Sequence, residues 1–376
     1  MAYGFGGAER TTANLLDHLD RSRIRRITML APAALRPYLP EAYDTFLDAG
    51  EYGLAGGFTI PGDLCRSVRT TGTILRETAP DVALGMMHYA SALVVLGARL
   101  AGMRTRTVAS YRGPFYEYMR HHERGLRRRW FLRAAVAGTA LLADRVIVPS
   151  RGTAGELRRR FLVPAARTMV IPNGIDLAAA TSAAAESVPE LADLDHDGWP
   201  VLCAIARLSP EKNLGLLLEA FRRVHSVRPV TLLILGDGPE RAMLETRIAD
   251  WGLAGAVRLL GYRANVYPYL RRADLFIHTC QFEGFGYTVL EALACGTAVV
   301  ATDCPHGPRE VLDNGNHGVL VPPGDPGALA AAVLQLLADP SRRRSLAARG
   351  LERAETLSIQ RMVGAYEAEF LRLADG

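Results

Sequence analysis

The chain has 376 residues, of which 49% are apolar and 22% charged, and a formal net charge of +5. That length and balance predict two globular domains of ordinary size and exclude a disordered chain. No run of 18 or more apolar residues occurs, which argues against a spanning helix, and the opening MAYGFGGAERTTANLLDHLDRSR lacks the order of a secretory signal, so a cytoplasmic location is expected.

Short apolar runs predict strands over residues 27–30, 82–85, 107–110, 146–149 and 169–171, then 201–206, 231–235, 257–260, 275–278, 298–301 and 318–321. Helical patterns fall between them at 8–19, 67–78, 90–101, 127–143, 152–161, 214–227, 240–251, 287–294, 326–337 and 359–373. This alternation predicts an α/β fold of parallel sheets covered on both faces. Residues 176–199 read DLAAATSAAAESVPELADLDHDGW, poor in strand formers. The expected organisation is therefore a first Rossmann-like domain over 1–177, a linker at 178–198, a second Rossmann-like domain at 199–354 and a terminal segment at 355–376. A doubly wound domain opens with a buried strand before its first glycine turn. Here Gly4, Gly6 and Gly7 come within seven residues of Met1, so the first strand is expected to be missing, through truncation or a late-assigned start.

Charge is uneven. Residues 1–188 hold 25 Arg against 16 acidic residues, whereas 189–376 hold 19 Lys plus Arg against 23 acidic. Between Arg120 and Arg133, RHHERGLRRRWFLR mixes arginines with Trp130, Phe131 and Leu132. That mixture suits an anionic membrane surface, and equally a solvated helix face; without a recognisable nucleic-acid module, no nucleic-acid partner is expected. Cys65, Cys203, Cys280, Cys295 and Cys304 are scattered without zinc spacing and are expected as reduced filler, with no metal site.

The densest chemistry is QFEGFGYTVLEALACGTAVVATD. Gly284 and Gly286 keep helix from starting before Tyr287, so the amides around Phe285 to Tyr287 face an anion above a helix N-terminus. Glu283 and Glu291 flank that turn, and carboxylates there suit sugar hydroxyls; alternatively one caps the helix and the other is solvated. Upstream, ARLSPEKN places Arg207 and Lys212 after a strand end, where a diphosphate would find two cations. Lys212 is the only lysine, beside 43 arginines. Their competing reading is an ion pair with Glu211. LGDGPE provides a tight turn at Gly236, and Gly261, Tyr262 and Arg263 follow another strand end and suit a nucleobase. No strand followed by GxGxxG and a later acid supports a nicotinamide enzyme.

In this order, ARLSPEKN, LGDGPE, EGFGYTVLEALACGTAVVATD and GVLVPPGDP resemble the retaining glycosyltransferases of family 4, with the GT-B fold of two Rossmann-like domains facing across a cleft. GGAER, PDVALGMMH and IPNGID extend the resemblance to the first half, and DCPHGPREVL is similar to the branch using UDP-activated hexoses or N-acetylhexosamines. The resemblance implies a nucleotide-sugar donor, a lipid-linked or polysaccharide acceptor and no metal or other cofactor. It assigns Glu291 to the ribose, Glu283 to the donor sugar, Arg207 and Lys212 to the diphosphate, and Gly284, Phe285, Gly286 and Tyr287 to the phosphate cradle. Gly6 and Gly7 would lie on the acceptor side, and the last helix would cross back to the first domain. Many members carry His where this chain has Arg112, whose partner stays open; His88 is a second candidate after a strand end. Rival readings are an epimerase or phosphorylase on the same fold and a non-catalytic sugar-nucleotide-binding protein.

Overall fold

The computed structural model describes residues 6–54, 61–192 and 198–376. The chain divides into two compact units, Met1–Gly174 with Ile359–Gly376, and Ile175–Ser358.

The first unit runs α1 (Gly7–His18), β1 (Thr28–Ala31), β2 (Thr45–Asp48), α2 (Pro61–Thr78), β3 (Val82–Met86), α3 (Met87–Leu100), β4 (Arg106–Ser110), α4 (Phe115–His122), α5 (Leu126–Leu142), β5 (Arg145–Val148), α6 (Arg151–Phe161) and β6 (Thr168–Val170). Its strands are all parallel but form two separate sheets, β1-β2 and β3-β4-β5-β6. Among the described residues no strand precedes α1, and residues 1–5 lie outside them. A strand buried on both faces has no room for polar side chains, and Val108, Val146, Ile147 and Val148 are fully buried accordingly.

The second unit runs α7 (Leu177–Ala184), α8 (Pro189–Ala192), β7 (Val201–Ile205), α9 (Leu214–His225), β8 (Thr231–Leu235), α10 (Arg241–Asp250), β9 (Val257–Gly261), α11 (Tyr267–Arg272), β10 (Leu275–His278), α12 (Tyr287–Ala294), β11 (Ala298–Thr302), α13 (Pro308–Val311), β12 (Val319–Val321), α14 (Pro326–Ala338) and α15 (Pro340–Thr356). The strands form one parallel sheet in the order β12-β11-β10-β7-β8-β9. One core face gathers Leu214, Leu217, Phe221, Leu232 and Leu336, and the other Val289, Leu290, Leu293, Val299 and Phe276. Each such side chain contributes about 1.5–3 kcal/mol on burial. Asp325 and Asp339 start α14 and α15 by accepting from Ala328 N and Arg342 N, each with proline at the first helical position.

The final helix, α16 (Ile359–Ala374), belongs to the first unit, where Ile359, Met362, Val363 and Tyr366 are buried with Leu15, Val108, Ile147 and Ile171. Both crossings between units lie side by side, since Ile175 N donates to Leu357 O at 2.9 Å.

The segment expected as a linker differs. Asp176 caps α7 by accepting from Ala179 N, and Ala180 and Ala184 are buried. Alanine is the best helix former, and a methyl face needs only a close partner to bury. An Ala/Ser composition thus reads as linker while folding as helix. The unit boundary falls at Gly174 rather than after residue 177, and residues 193–197 lie outside the described part.

Candidate active site

In the sheet of the second unit the strand order reverses between β7 and β10, which are hydrogen-bonded neighbours. Loops leaving the carboxyl ends of such a pair diverge to opposite faces and leave a crevice. Arg207 and Lys212 are on the loop after β7, and Glu283 is on the loop after β10. Hydrogen bonds join the two loops: Gln281 N donates to Glu211 O at 2.8 Å, and the Thr279 hydroxyl Oγ1 donates to Lys212 O at 2.9 Å.

Lys212 Nζ donates to Glu283 Oε2 at 2.6 Å, and both side chains are about one-fifth exposed. Burial alone would protonate Glu283, but Lys212 and His278 outweigh it and hold the carboxyl well below the usual range. Lys212 is held above its ordinary value because the Cys280 sulfur and the Glu283 carboxylate overcome the penalty of burial. His278 ends β10, is buried, and has Nε2 3.1 Å from Cys280 Sγ and 3.7 Å from Glu283 Oε2. Burial opposes its charge, but Cys280 and Glu283 raise its pKa to about 9. His278 and Cys280 were not singled out from sequence, although HTC immediately before the Glu283 loop was a visible signal.

Arg207 extends from the same crevice. Its guanidinium pairs with Glu211, and its Nε donates to Ser209 Oγ at 3.2 Å. The arginine is 62% exposed while Glu211 is buried. A half-solvated guanidinium anchored by one edge keeps other donors for an anion.

Glycine geometry shapes the rest of the crevice. Gly286 sits at φ 91° and starts α12, whose first residue is Tyr287, with Phe285 buried beneath the turn. Glu283 Oε1 accepts from Gly284 N at 3.0 Å. A Cβ on Gly307 would lie 2.5 Å from Phe285 O, so the DCPHGPR turn closes against this loop only with glycine there. Gly236, at φ 127°, would place a Cβ 1.9 Å from Ala206 O, which keeps the β7 and β8 loops in backbone contact. Glu291 is buried on α12, 1% exposed.

At the end of β9, Gly261 takes φ 75°, and Tyr262 after it projects half-exposed. Arg263 is less available than expected. Its Nη2 donates to Glu190 Oε1 at 2.9 Å and its Nε to Tyr269 OH at 3.0 Å, tying α8 to α11.

The first unit uses its two candidates internally. Arg112, after β4, donates from Nη1 to Tyr366 OH at 3.0 Å and from Nη2 to Thr11 Oγ1 at 2.9 Å and to Asn173. It therefore joins α1, α16 and the loop after β6. His88 follows β3 with its ring 4.0 Å from Phe115 and 4.9 Å from Tyr111, and its Nε2 has no hydrogen-bond partner. Burial pushes its pKa down to about 3, so the imidazole is neutral. Gly6 and Gly7 are exposed at the start of α1, where the Glu9 carboxylate accepts from Gly6 N at 3.1 Å.

The family model for glycosyl transferases group 1 matches residues 192–353, and that for glycosyltransferase family 4 matches residues 5–179. The chain is a GT-B glycosyltransferase and belongs to this group 1/family 4 class. Among curated proteins it is 26% identical over 363 residues to an N-acetylgalactosamine-N,N'-diacetylbacillosaminyl-diphospho-undecaprenol 4-alpha-N-acetylgalactosaminyltransferase of Campylobacter jejuni, covering 94% of this chain and 92% of that one. It is 35% identical over 204 residues to the phosphatidyl-myo-inositol mannosyltransferase of Mycolicibacterium smegmatis, covering 53% of this chain and 50% of that protein. The fold matches Anabaena HepE, solved in complex with UDP, at a TM-score of 0.77 and 21% identity over 98% of this chain and 97% of that one.

Proposed function

We propose that the protein is a retaining, metal-independent hexosyl- or N-acetylhexosaminyltransferase, taking its donor from a UDP-sugar and passing it to a lipid-linked or polysaccharide acceptor. The observation that carries this reading is the meeting of Lys212 and Glu283 at the strand-order reversal, beside the Gly286 helix start. An ammonium has three donor positions, of which Glu283 occupies one, so the same side chain serves the donor diphosphate. Arg207 and the amides around Phe285 to Tyr287 complete the anion site, and Glu291 takes the ribose hydroxyls. Glu283, already ionised, accepts from the sugar hydroxyls. Gly236, Gly261 and Tyr262 line the nucleobase side, and Gly6 and Gly7 are assigned to the acceptor side.

As the glycosidic bond breaks, negative charge gathers on the leaving diphosphate, and fixed cations and amides stabilise it without reorganising. The departing phosphate oxygen then takes the proton of the acceptor hydroxyl on the same face, which keeps the anomeric configuration. A divalent ion is not needed in this scheme because Arg207 and Lys212 supply the positive charge. The relatives support the acceptor class: the Campylobacter protein is named for an undecaprenol-diphosphate-linked acceptor and the mycobacterial one for a phosphatidylinositol.

Membrane docking is part of the proposal. Leu126 and Trp130 on α5 are 78% and 75% exposed, next to Arg124, Arg127 and Arg128. An apolar edge among arginines suits anionic lipid at the cytoplasmic face, where a lipid-linked acceptor resides. No described helix is long and apolar enough to cross a membrane.

A donor-panel hydrolysis screen with mass detection tests the activity, since slow hydrolysis reveals the donor when the acceptor is unknown. Release of UDP and free sugar from one UDP-hexose class without added metal is expected. Release of an epimer or sugar 1-phosphate, or binding with no turnover when acceptors are supplied, contradicts the proposal.

A further inference from the structure

We propose that His278, Cys280 and Glu283 form a binding site for a thiophilic divalent cation of the zinc class, and that its occupation inhibits the enzyme. His278 Nε2, Cys280 Sγ and Glu283 Oε2 are mutually 3.1, 3.6 and 3.7 Å apart. A tetrahedral zinc ion, with Zn–S of about 2.3 Å and Zn–N or Zn–O of about 2.0–2.1 Å, puts its ligand atoms about 3.3–3.6 Å apart. The three atoms thus already outline one face of that tetrahedron. Among the described residues this is the one group of three or more His, Cys, Asp or Glu side chains close enough to share an ion.

Ligand type sets the choice of metal. A thiolate with an imidazole selects zinc, cobalt or copper(I) over magnesium and calcium, which take oxygen. Three protein ligands leave a fourth position open to water or another small ligand, unlike the closed four-ligand set of structural zinc sites. Access is from one side: His278 and Cys280 are 4% and 2% exposed, while Glu283 is 21% exposed. His278 Nδ1 has no hydrogen-bond partner. An outer-shell partner on that nitrogen strengthens metal binding by about 10–100-fold. Its lack here fits a regulatory ion that comes and goes.

Binding forms one bond each to nitrogen, sulfur and oxygen. The Cys280 thiol proton leaves to the buffer, as does any proton on His278. Glu283 Oε2 exchanges its 2.6 Å contact with Lys212 for the metal, and Lys212 is displaced toward solvent. The inhibitory consequence rests on the donor reading above: the metal takes the carboxylate assigned to the sugar and moves the cation assigned to the diphosphate.

Cobalt(II) is the probe for the site, titrated into the full chain at about pH 8, where proton release is easiest. Wild type is expected to develop a near-ultraviolet thiolate charge-transfer band and the intense visible bands of four-coordinate cobalt, both bleached by equimolar Zn2+. Cys280→Ser and His278→Asn each weaken binding at least tenfold, while Cys65→Ser, which removes an exposed thiol, changes nothing. Near-ultraviolet circular dichroism of the two ligand variants verifies that they are folded. No bands in wild type, or undiminished bands in folded Cys280→Ser, overturns the site. In the second arm, Zn2+ lowers kcat/KM for the donor sugar at least tenfold in wild type, reversibly with chelator, and leaves Cys280→Ser unaffected. Cobalt bands with an unchanged kcat/KM in the presence of Zn2+ overturn the inhibitory role while the site stands. Cobalt bands in a protein that turns over no donor leave the site standing and reject the donor reading.

Discussion

Lys212 Nζ donates to Glu283 Oε2 at 2.6 Å, joining residues 71 positions apart. The contact exists because β7 and β10 are neighbours at the point where the sheet reverses its strand order. Removing either partner costs the other, partly buried charge its nearest opposite charge.

The two acids have separable roles. Glu283→Ala lowers turnover by about 10²–10³-fold with little change in UDP affinity, the magnitude typical of losing one stabilising group at the reacting centre. Glu291→Ala weakens UDP binding by about 10–100-fold, as expected for a charge-assisted hydrogen bond worth about 1.5–3 kcal/mol. Steady-state kinetics beside UDP calorimetry separate the two; wild-type values in both variants remove the assignments.

Arg112 is a tie within the first unit, holding Tyr366, Thr11 and Asn173 together. Arg112→Ala is expected to lose about 2–4 kcal/mol of that unit's stability in denaturant unfolding, and Tyr366→Phe about 1 kcal/mol. A drop in turnover with an unchanged unfolding midpoint would instead make Arg112 a substrate contact.

Acid sensitivity of the terminal helix follows from Glu369. Burial raises its pKa, but hydrogen bonds from Arg372 and Arg145 outweigh burial and leave it below its ordinary value. A carboxyl lowered in the folded state contributes stability that is complete above the unfolded pKa and is lost as pH falls through the folded one. Unfolding midpoints should therefore drop below about pH 4.5. Glu369→Gln flattens that limb and lowers stability at pH 7; identical acid limbs in both proteins reject the role.

Charge reversal at Arg124, Arg127 and Arg128 with Trp130→Ser is expected to reduce sedimentation with anionic vesicles by at least tenfold, each surface cation being worth about 1 kcal/mol. Arg129 is left intact because its guanidinium donates to Arg120 O and Glu123 O and holds the start of α5. Unchanged sedimentation would place this face in solvent.

The sheets were legible because parallel strands are short apolar runs, and ten of the eleven expected in sequence contain no charged residue. Of the elements that escaped, two show the reasons. β2, TFLD, is half-buried throughout and carries no alternation. α15 spans 17 residues but buries only Leu346, Gly350 and Ala354, so its arginine-rich sequence shows almost no apolar face. At the site, Glu283 and Lys212 were visible as motif residues, whereas their mutual pairing depends on strand order, which local sequence does not encode. His278 and Cys280 escaped because a buried histidine ending a strand looks like core, and only the fold brings its ring to the carboxylate.

Calorimetric titration of UDP into wild type, Lys212→Ala and Glu291→Gln tests the central claim most directly. The account predicts saturable binding at one site in wild type without added metal, weakened at least tenfold in both variants. No uptake of UDP by wild type, or equal affinity in all three proteins, would contradict it.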